Sequence, residues 1–310
     1  MNTKYRVLVV GGTGLVGRKL LELLIRNNFP ISDLIVTSRS YKQIEIDNRE
    51  IQVVPLTKDV FDGVDICFFT SPSDVSKDYV PLALTKCKWV IDNSSYFRMK
   101  EESNLIIPEI NFDQIKSNLI SNPNCSTIQS CLVLNEIGKY YSFKKIIYST
   151  YQSCSGGGQK LLSLLDSDLK LRNTCLTNIG EINNDGYSDE EMKLINETRK
   201  ILSKDIEIHS NCIRVPVSYC HGVFIYVECD REVDVTFIKN IISKSERLEL
   251  LSNKEIIYFQ DSYGNERVRV GKIKRDIFNK NAFSLFCVAD NLMVGAAYNA
   301  YLIATKLIGE

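Results

Sequence analysis

The sharpest chemical feature of the sequence is a cysteine where a helix should begin. Residues 121–129 read SNPNCSTIQ: Asn and Pro punctuate the chain, and a helical pattern starts at or just after Cys125. A thiol there feels the positive end of the helix dipole and nearby amide donors, which favour the thiolate. The other nine cysteines lack this setting, and Cys67, Cys131, Cys229 and Cys287 fall inside apolar patterns that read as core. Residues 150–157, TYQSCSGG, end a strand and enter a glycine turn, which sets the Gln152 amide where a substrate can approach backbone. Residues 214–222, RVPVSYCHG, offer Arg214 and His221 seven positions apart. In one continuous strand that odd spacing puts them on opposite faces, so a bend near Pro216 or Tyr219 is needed to bring both to one site. A lone histidine is commonly structural; beside a nucleophilic cysteine it is the natural acid/base.

A second site is written in GGTGLVG, residues 11–17, between a predicted strand and a predicted helix. Gly12, Gly14 and Gly17 fit the dinucleotide spacing, and amides at a helix N-terminus are what a pyrophosphate needs. The next strand ends in VTSRS, residues 36–40, where an NAD site would place a carboxylate for the ribose hydroxyls. Arg39 between Ser38 and Ser40 suits a 2′-phosphate instead, which points to NADP.

These residues need a scaffold, and 310 residues exceed the usual limit of one core, so two domains are expected. Short β-branched runs at 5–10, 34–38, 65–69 and 89–91 alternate with helical patterns at 14–27 and 73–87. That order implies a Rossmann-like, doubly wound parallel sheet. Beyond Asn122-Pro123 the texture changes: a helix over 125–140, strands at 145–151, 212–217, 223–229, 268–273 and 283–288, and a final apolar helix over 291–307. The expected α/β architecture is a nucleotide domain over 1–124, completed by residues 291–310, and a second α+β domain for catalysis and dimerisation over 125–290.

Lys+Arg and Asp+Glu are both 38, so no global field favours nucleic acid or a membrane surface. No apolar run approaches the ~18 residues of a membrane span, and no secretory signal is legible, so a cytosolic enzyme is expected. Ten cysteines without CxxC pairs read as free thiols, and with two histidines no metal site is expected.

In family order, the segments GGTGLVG, NSSYFR, SNPNCSTIQ, STYQSCSGGG, DEEMK, RVPVSYCHG and ADNLMVGAA resemble the aspartate-semialdehyde dehydrogenases over nearly the whole chain. The resemblance implies NADP-dependent reductive dephosphorylation of L-aspartyl 4-phosphate to L-aspartate 4-semialdehyde, reversibly, through a thioacyl on Cys125, in the route to lysine, threonine, methionine and diaminopimelate. It assigns His221 as acid/base, Asn124 and Gln152 as orienting groups, Arg214 to the substrate carboxylate, Glu190 to its ammonium, and Arg98 and Lys193 to phosphate. Cofactor contacts carried over are Gly12, Thr13, Gly14, Leu15, Val16, Gly17, Ser38, Arg39, Ser40, Ser71, Ser155, Gly156 and Asn291. A homodimer is implied as well. The competing readings are a related reductase, such as one for N-acetylglutamyl phosphate, and a noncatalytic nucleotide-binding paralogue. The chain departs from the family pattern in a shortened stretch between residues 158 and 190, in Gly222 where a polar residue is usual, and in Val294 where a cation is common.

Overall fold

The computed structural model describes residues 3–202, 205–252 and 256–309. The chain divides into two compact units, Met1–Pro123 with Ala296–Glu310, and Asn124–Gly295.

In the first unit, β1 (Tyr5–Val10), α1 (Leu15–Arg26), β2 (Ile31–Ser38), β3 (Lys42–Ile46) and β4 (Arg49–Pro55) are followed by β5 (Ile66–Phe69), α2 (Ser73–Lys86), β6 (Trp89–Asp92), β7 (Asn104–Leu105), α3 (Pro108–Asn111) and β8 (Leu119–Ser121). They form one sheet in the order β3-β4-β2-β1-β5-β6-β8-β7. Every recorded pairing is parallel except that between β3 and β4. Val7, Leu8 and Val9 of β1 are fully buried, as a central strand covered on both faces requires. The doubly wound sheet expected from the alternating pattern is therefore present. What that pattern missed is the β3–β4 hairpin, whose turn residues Asp47 and Asn48 have φ of 51° and 60°. Two consecutive left-handed residues are what a tight hairpin turn demands, and Asp and Asn tolerate them.

The second unit opens with α4 (Cys125–Gly138) and continues through β9 (Phe143–Gln152), α5 (Gly158–Ser167), α6 (Leu169–Arg172) and α7 (Asp189–Leu202). After these come β10 (Glu207–Arg214), β11 (His221–Cys229), α8 (Val235–Lys244), β12 (Leu248–Leu250), β13 (Val268–Arg275) and β14 (Ala282–Ala289). The sheet order is β10-β9-β11-β14-β13-β12. Helices α4, α7 and α8 pack on one face. Along β9 and β11 the alternation is visible: Ile146, Tyr148, Thr150, Ile225 and Val227 are buried beneath the helices, whereas Ile147, Tyr151, Phe224 and Tyr226 on the other face are half-buried. Helix α4 is buried on nearly every side from Ser126 to Leu134, which explains its lack of amphipathic contrast.

The last helix, α9 (Tyr298–Leu307), begins later than the expected residue 291, because Met293–Ala297 forms a π-helical turn. It packs against α1 and α3 of the first unit, and the Phe29 and Tyr301 rings meet edge-on at 6.2 Å. No described helix is long and apolar enough to cross a membrane.

Candidate active site

Two sites emerge, one in each unit. In the first, Gly11, Thr13, Gly14, Ser38, Arg39, Ser40 and Ser71 line a cleft of about 650 Å³. Gly14 is the N-cap of α1, so the first free amides of that helix border the cleft. Gly17 serves packing: a Cβ there would lie 2.6 Å from the Gly11 carbonyl oxygen, so only glycine lets α1 approach the loop this closely. Leu15 and Val16 form the first turn of α1. The Ser71 hydroxyl is buried in the cleft wall with no hydrogen-bond partner among the described residues, as is that of Thr37. Orphaned hydroxyls, helix amides and a cationic rim fit a phosphate-bearing dinucleotide. Lys42 also lines the cleft. Sequence reasoning missed it because it opens the unread strand β3.

Arg98, also in this unit, is 8% exposed. Its Nε donates to the Asn122 carbonyl at 2.9 Å and its Nη2 to that of Asn93 at 2.8 Å. The turn that carries it is built around Asp92, which accepts from the Ser76 hydroxyl and from the Ser94 amide and hydroxyl. Burial pushes the Asp92 carboxyl up, against the opposing pull of Ser94, Ser76 and Arg98.

In the second unit the sheet register assembles the site. Gln152 ends β9 directly opposite Arg214, which ends β10. On the other side of β9, Tyr151 pairs with Gly222 at the start of β11, next to His221. Arg214 and His221 thus belong to two strands flanking β9, and the whole 215–220 connection supplies the reversal that their spacing required. Cys220 helps by adopting φ of 70°.

Cys125 is half-buried at the N-terminus of α4. Asn124 caps that helix, its Oδ1 accepting from Ser126 N at 2.9 Å and Thr127 N at 3.4 Å. The Asn124 side-chain amide donates to Glu190 at 2.7 Å, and Gln152 donates to the same carboxylate oxygen at 3.1 Å. Lys193, one turn along α7, pairs with the other Glu190 oxygen at 3.3 Å. Burial raises the Glu190 pKa, but Lys193 and the two amides outweigh it and hold the carboxyl below its usual range. Gly295 presses on Cys125: a Cβ there would lie 2.5 Å from the Cys125 Cβ. The remaining thiols differ in kind. Eight are buried, and burial pushes those of Cys131, Cys212 and Cys287 up to about 12. Cys175 is exposed, so not all nine are core.

His221 is fully buried. Its Nδ1 accepts from the Ser153 amide at 3.0 Å, which places the proton of the neutral ring on Nε2. Burial, reinforced by the Arg214 charge, lowers the His221 pKa to about 3, so the ring is neutral at physiological pH. Among the described residues its Nε2 has no hydrogen-bond partner. A Cβ on Gly156 would fall 2.9 Å from that nitrogen and 2.7 Å from Arg214 Nη1, so two donors converge beside one glycine. Arg214 Nη1 also donates to the Ser153 carbonyl at 2.8 Å. Asn291 Oδ1 accepts from the Ser153 and Ser155 hydroxyls and the Cys220 amide, tying the glycine turn to the 215–220 connection. Ser153 is thus central to holding His221, a role no sequence signal marked. Gly222, where the resemblance implies a polar residue, makes room for the Phe259 ring, which a Cβ at 222 would strike. Val294, where the resemblance implies a cation, is fully buried.

Residues 6–118 match the semialdehyde dehydrogenase NAD-binding domain, and residues 137–294 the semialdehyde dehydrogenase dimerisation domain. The aspartate-semialdehyde dehydrogenase of Rickettsia bellii is 33% identical over 334 aligned positions that cover 99% of both chains. The chain belongs to the aspartate-semialdehyde dehydrogenase family. The Bacillus subtilis aspartate-semialdehyde dehydrogenase is likewise 33% identical, over 340 positions covering 99% of this chain and 98% of the relative. Aspartate semialdehyde dehydrogenase II of Vibrio cholerae, solved in complex with ASA, superposes with a TM-score of 0.94 at 30% identity, covering 99% of this chain and 98% of that one. The resemblance carried by SNPNCSTIQ and RVPVSYCHG is borne out. An alignment of 334 positions is longer than a chain of 310, so the Rickettsia aspartate-semialdehyde dehydrogenase holds residues that this family member lacks.

Proposed function

We propose that this chain interconverts L-aspartyl 4-phosphate and L-aspartate 4-semialdehyde with NADP, through a thioacyl on Cys125. The observation that supports this most directly is the cluster in the second unit: a thiol at a capped helix terminus, a buried carboxylate beside it, and the convergent donors of Arg214 and His221. An amino-acid aldehyde presents an ammonium and a carboxylate. Glu190, held ionised, suits the first, and the Arg214 fork suits the second. An N-acylated substrate would offer Glu190 no cation.

In the reductive direction the Cys125 sulfur attacks the acyl carbon, a C–S bond forms, and the C–O bond to phosphate breaks with its electron pair on the departing oxygen. Arg98 and Lys193 are assigned as the cations that stabilise phosphate. The nicotinamide supplies the hydride when bound. Hydride addition to the thioester carbon gives a tetrahedral alkoxide, and the C–S bond then breaks with its electrons returning to sulfur. Thioester and hydride therefore yield aldehyde and thiolate with no net proton. His221, with Nε2–H as its free donor, stabilises the alkoxide or lends it a proton and takes it back; donors aimed at a developing oxyanion commonly contribute ~10²- to 10³-fold. Splitting reduction into acylation and hydride transfer is the gain of covalent catalysis.

For the cofactor, Arg39 and Lys42 with Ser38 and Ser40 at the cleft favour a 2′-phosphate, and the end of β2 carries no carboxylate. A homodimer is supported by the half-buried apolar face of the second sheet, where Tyr151, Phe224, Tyr226 and Phe286 stand in a unit matching a dimerisation domain. A nucleophilic thiol outside any disulfide also fits the cytosol, which keeps thiols reduced.

The test is phosphate-dependent NADPH formation from L-aspartate semialdehyde, run against N-acetylglutamate semialdehyde and against NAD. Turnover is expected with the first aldehyde and NADP, and Cys125→Ala should abolish it. Near-normal turnover without the thiol would refute the covalent route, and equal use of NAD would refute the reading of Arg39.

A further inference from the structure

Besides Glu190, helix α7 buries Glu191 and Glu197, two carboxylates for which the proposed chemistry has no use. Glu197 follows Glu190 by seven residues, two helical turns, so both project from the same face toward α4. Glu197 is 1% exposed, and its Oε2 accepts from the backbone N–H of Asn124 at 2.6 Å. Glu190 takes the side-chain amide of the same residue at 2.7 Å. Asn124 is thereby gripped at two points by one helix, while its own Oδ1 caps Ser126 and Thr127. The next residue is Cys125. A buried carboxylate is costly unless hydrogen-bonded, and this one is spent on the amide immediately before the nucleophile.

Its charge has a consequence beyond geometry. The positive end of α4 favours an anion, and Glu197 already supplies one. A carboxylate and a thiolate at the same terminus compete, so the first disfavours ionisation of the second. That restraint is useful: a thiolate whose pKa is too low is a poor nucleophile, and attack is best when the pKa lies near ambient pH.

We propose that Glu197 is a positioning residue for the nucleophile, fixing the first turn of α4 through the Asn124 amide and, as a fixed negative charge there, raising the pH at which the Cys125 thiol ionises. This rests on the assignment of Cys125 as nucleophile. Titratable or charged groups on the elements around this turn include Glu190, Glu191 and Lys193 on α7, Cys131 on α4, whose thiol burial and then the Glu197 charge push up, Cys212 and Arg214 on β10, and His221 on β11, with Asp290 on the segment leading to Gly295; α4 itself has no charged residue in its first turn.

The experiment follows the rate of iodoacetamide alkylation of Cys125 against pH in the full-length protein, read on the Cys125 peptide by mass spectrometry so that the exposed Cys175 does not interfere. Glu197→Gln keeps an oxygen for the Asn124 amide and removes the charge; its profile is expected to move to lower pH by ~1 unit. Glu197→Asp keeps the charge but draws it back, and should move the profile the same way by less. A folded variant of either kind whose profile overlies the wild type overturns the proposal. So does failure of both variants to fold, which would make Glu197 a structural residue. Alkylation needs no substrate, so a wild-type enzyme inactive on aspartate semialdehyde would sink the proposed function and leave this titration standing.

Discussion

At the scale of single residues, His221 shows how burial converts a common side chain into a specific tool. Holding Nδ1 against the Ser153 amide leaves one orientation and one proton position, with Nε2–H aimed beside Gly156 and Arg214. His221→Asn retains an acceptor for the Ser153 amide but lacks the distal donor. Steady-state kinetics should show kcat reduced ~10²-fold or more with KM within about threefold. A change confined to KM would reassign His221 to binding. The sequence marked Cys125, His221 and Arg214 as candidates, because their types and spacing are themselves chemical statements. It could not mark Ser153 as the orienting group, because a serine in a glycine turn has many ordinary uses.

At the scale of elements, the site is a meeting of element ends: the N-terminus of α4, the C-termini of β9 and β10, the N-terminus of β11, and the π-helical turn at Met293–Ala297. Gly295 in that turn lies against Cys125, and a methyl group there would overlap the Cys125 Cα at 2.9 Å. Overpacking of this kind typically costs ~1–3 kcal/mol. Gly295→Ala should therefore lower the thermal midpoint and, by shifting the sulfur, reduce kcat about tenfold or more, since sub-ångström placement governs covalent attack. An alanine variant with unaltered kcat would show that the contact relaxes without moving Cys125. Helical and strand periodicity read most elements that carry the site, α4, β9 and β11 among them. The strand expected over 212–217 instead ends at Arg214, and β3 was unread, because such edges are set by pairing partners rather than by local pattern.

At the scale of the whole molecule, burying a neutral histidine links stability to pH. Folding lowers the His221 pKa to about 3, below the ~6.5 of an exposed imidazole. The folded state then binds fewer protons than the unfolded chain as pH falls below that higher value. Stability is complete above it and declines toward the folded pKa by up to about 1.4 kcal/mol per pH unit. Glu190, with its lowered pKa, adds to the loss only in the carboxylate range. Chemical denaturation of the wild type should show the decline already near pH 6, and His221→Asn should flatten it there; parallel curves would mean the ring is not buried neutral. Assembly is the other property at this scale. Light scattering at micromolar concentration should give twice the 35.3 kDa of the chain, and Phe286→Asp on the open sheet face should give the monomer; a wild-type monomer would discard the proposed dimer.

The amino-acid sequence alone determined the doubly wound sheet and the list of chemical candidates, because hydrophobic periodicity and residue type are local properties. Tertiary structure alone decided which candidates share a site. Register across β10, β9 and β11 brought Gln152, Arg214 and His221 to one end of a sheet, although 69 positions separate the first from the last. Two turns of α7 then aimed Glu190 and Glu197 at Asn124, the residue before Cys125. Such convergence comes from pairing and packing between distant segments, which no window of sequence contains.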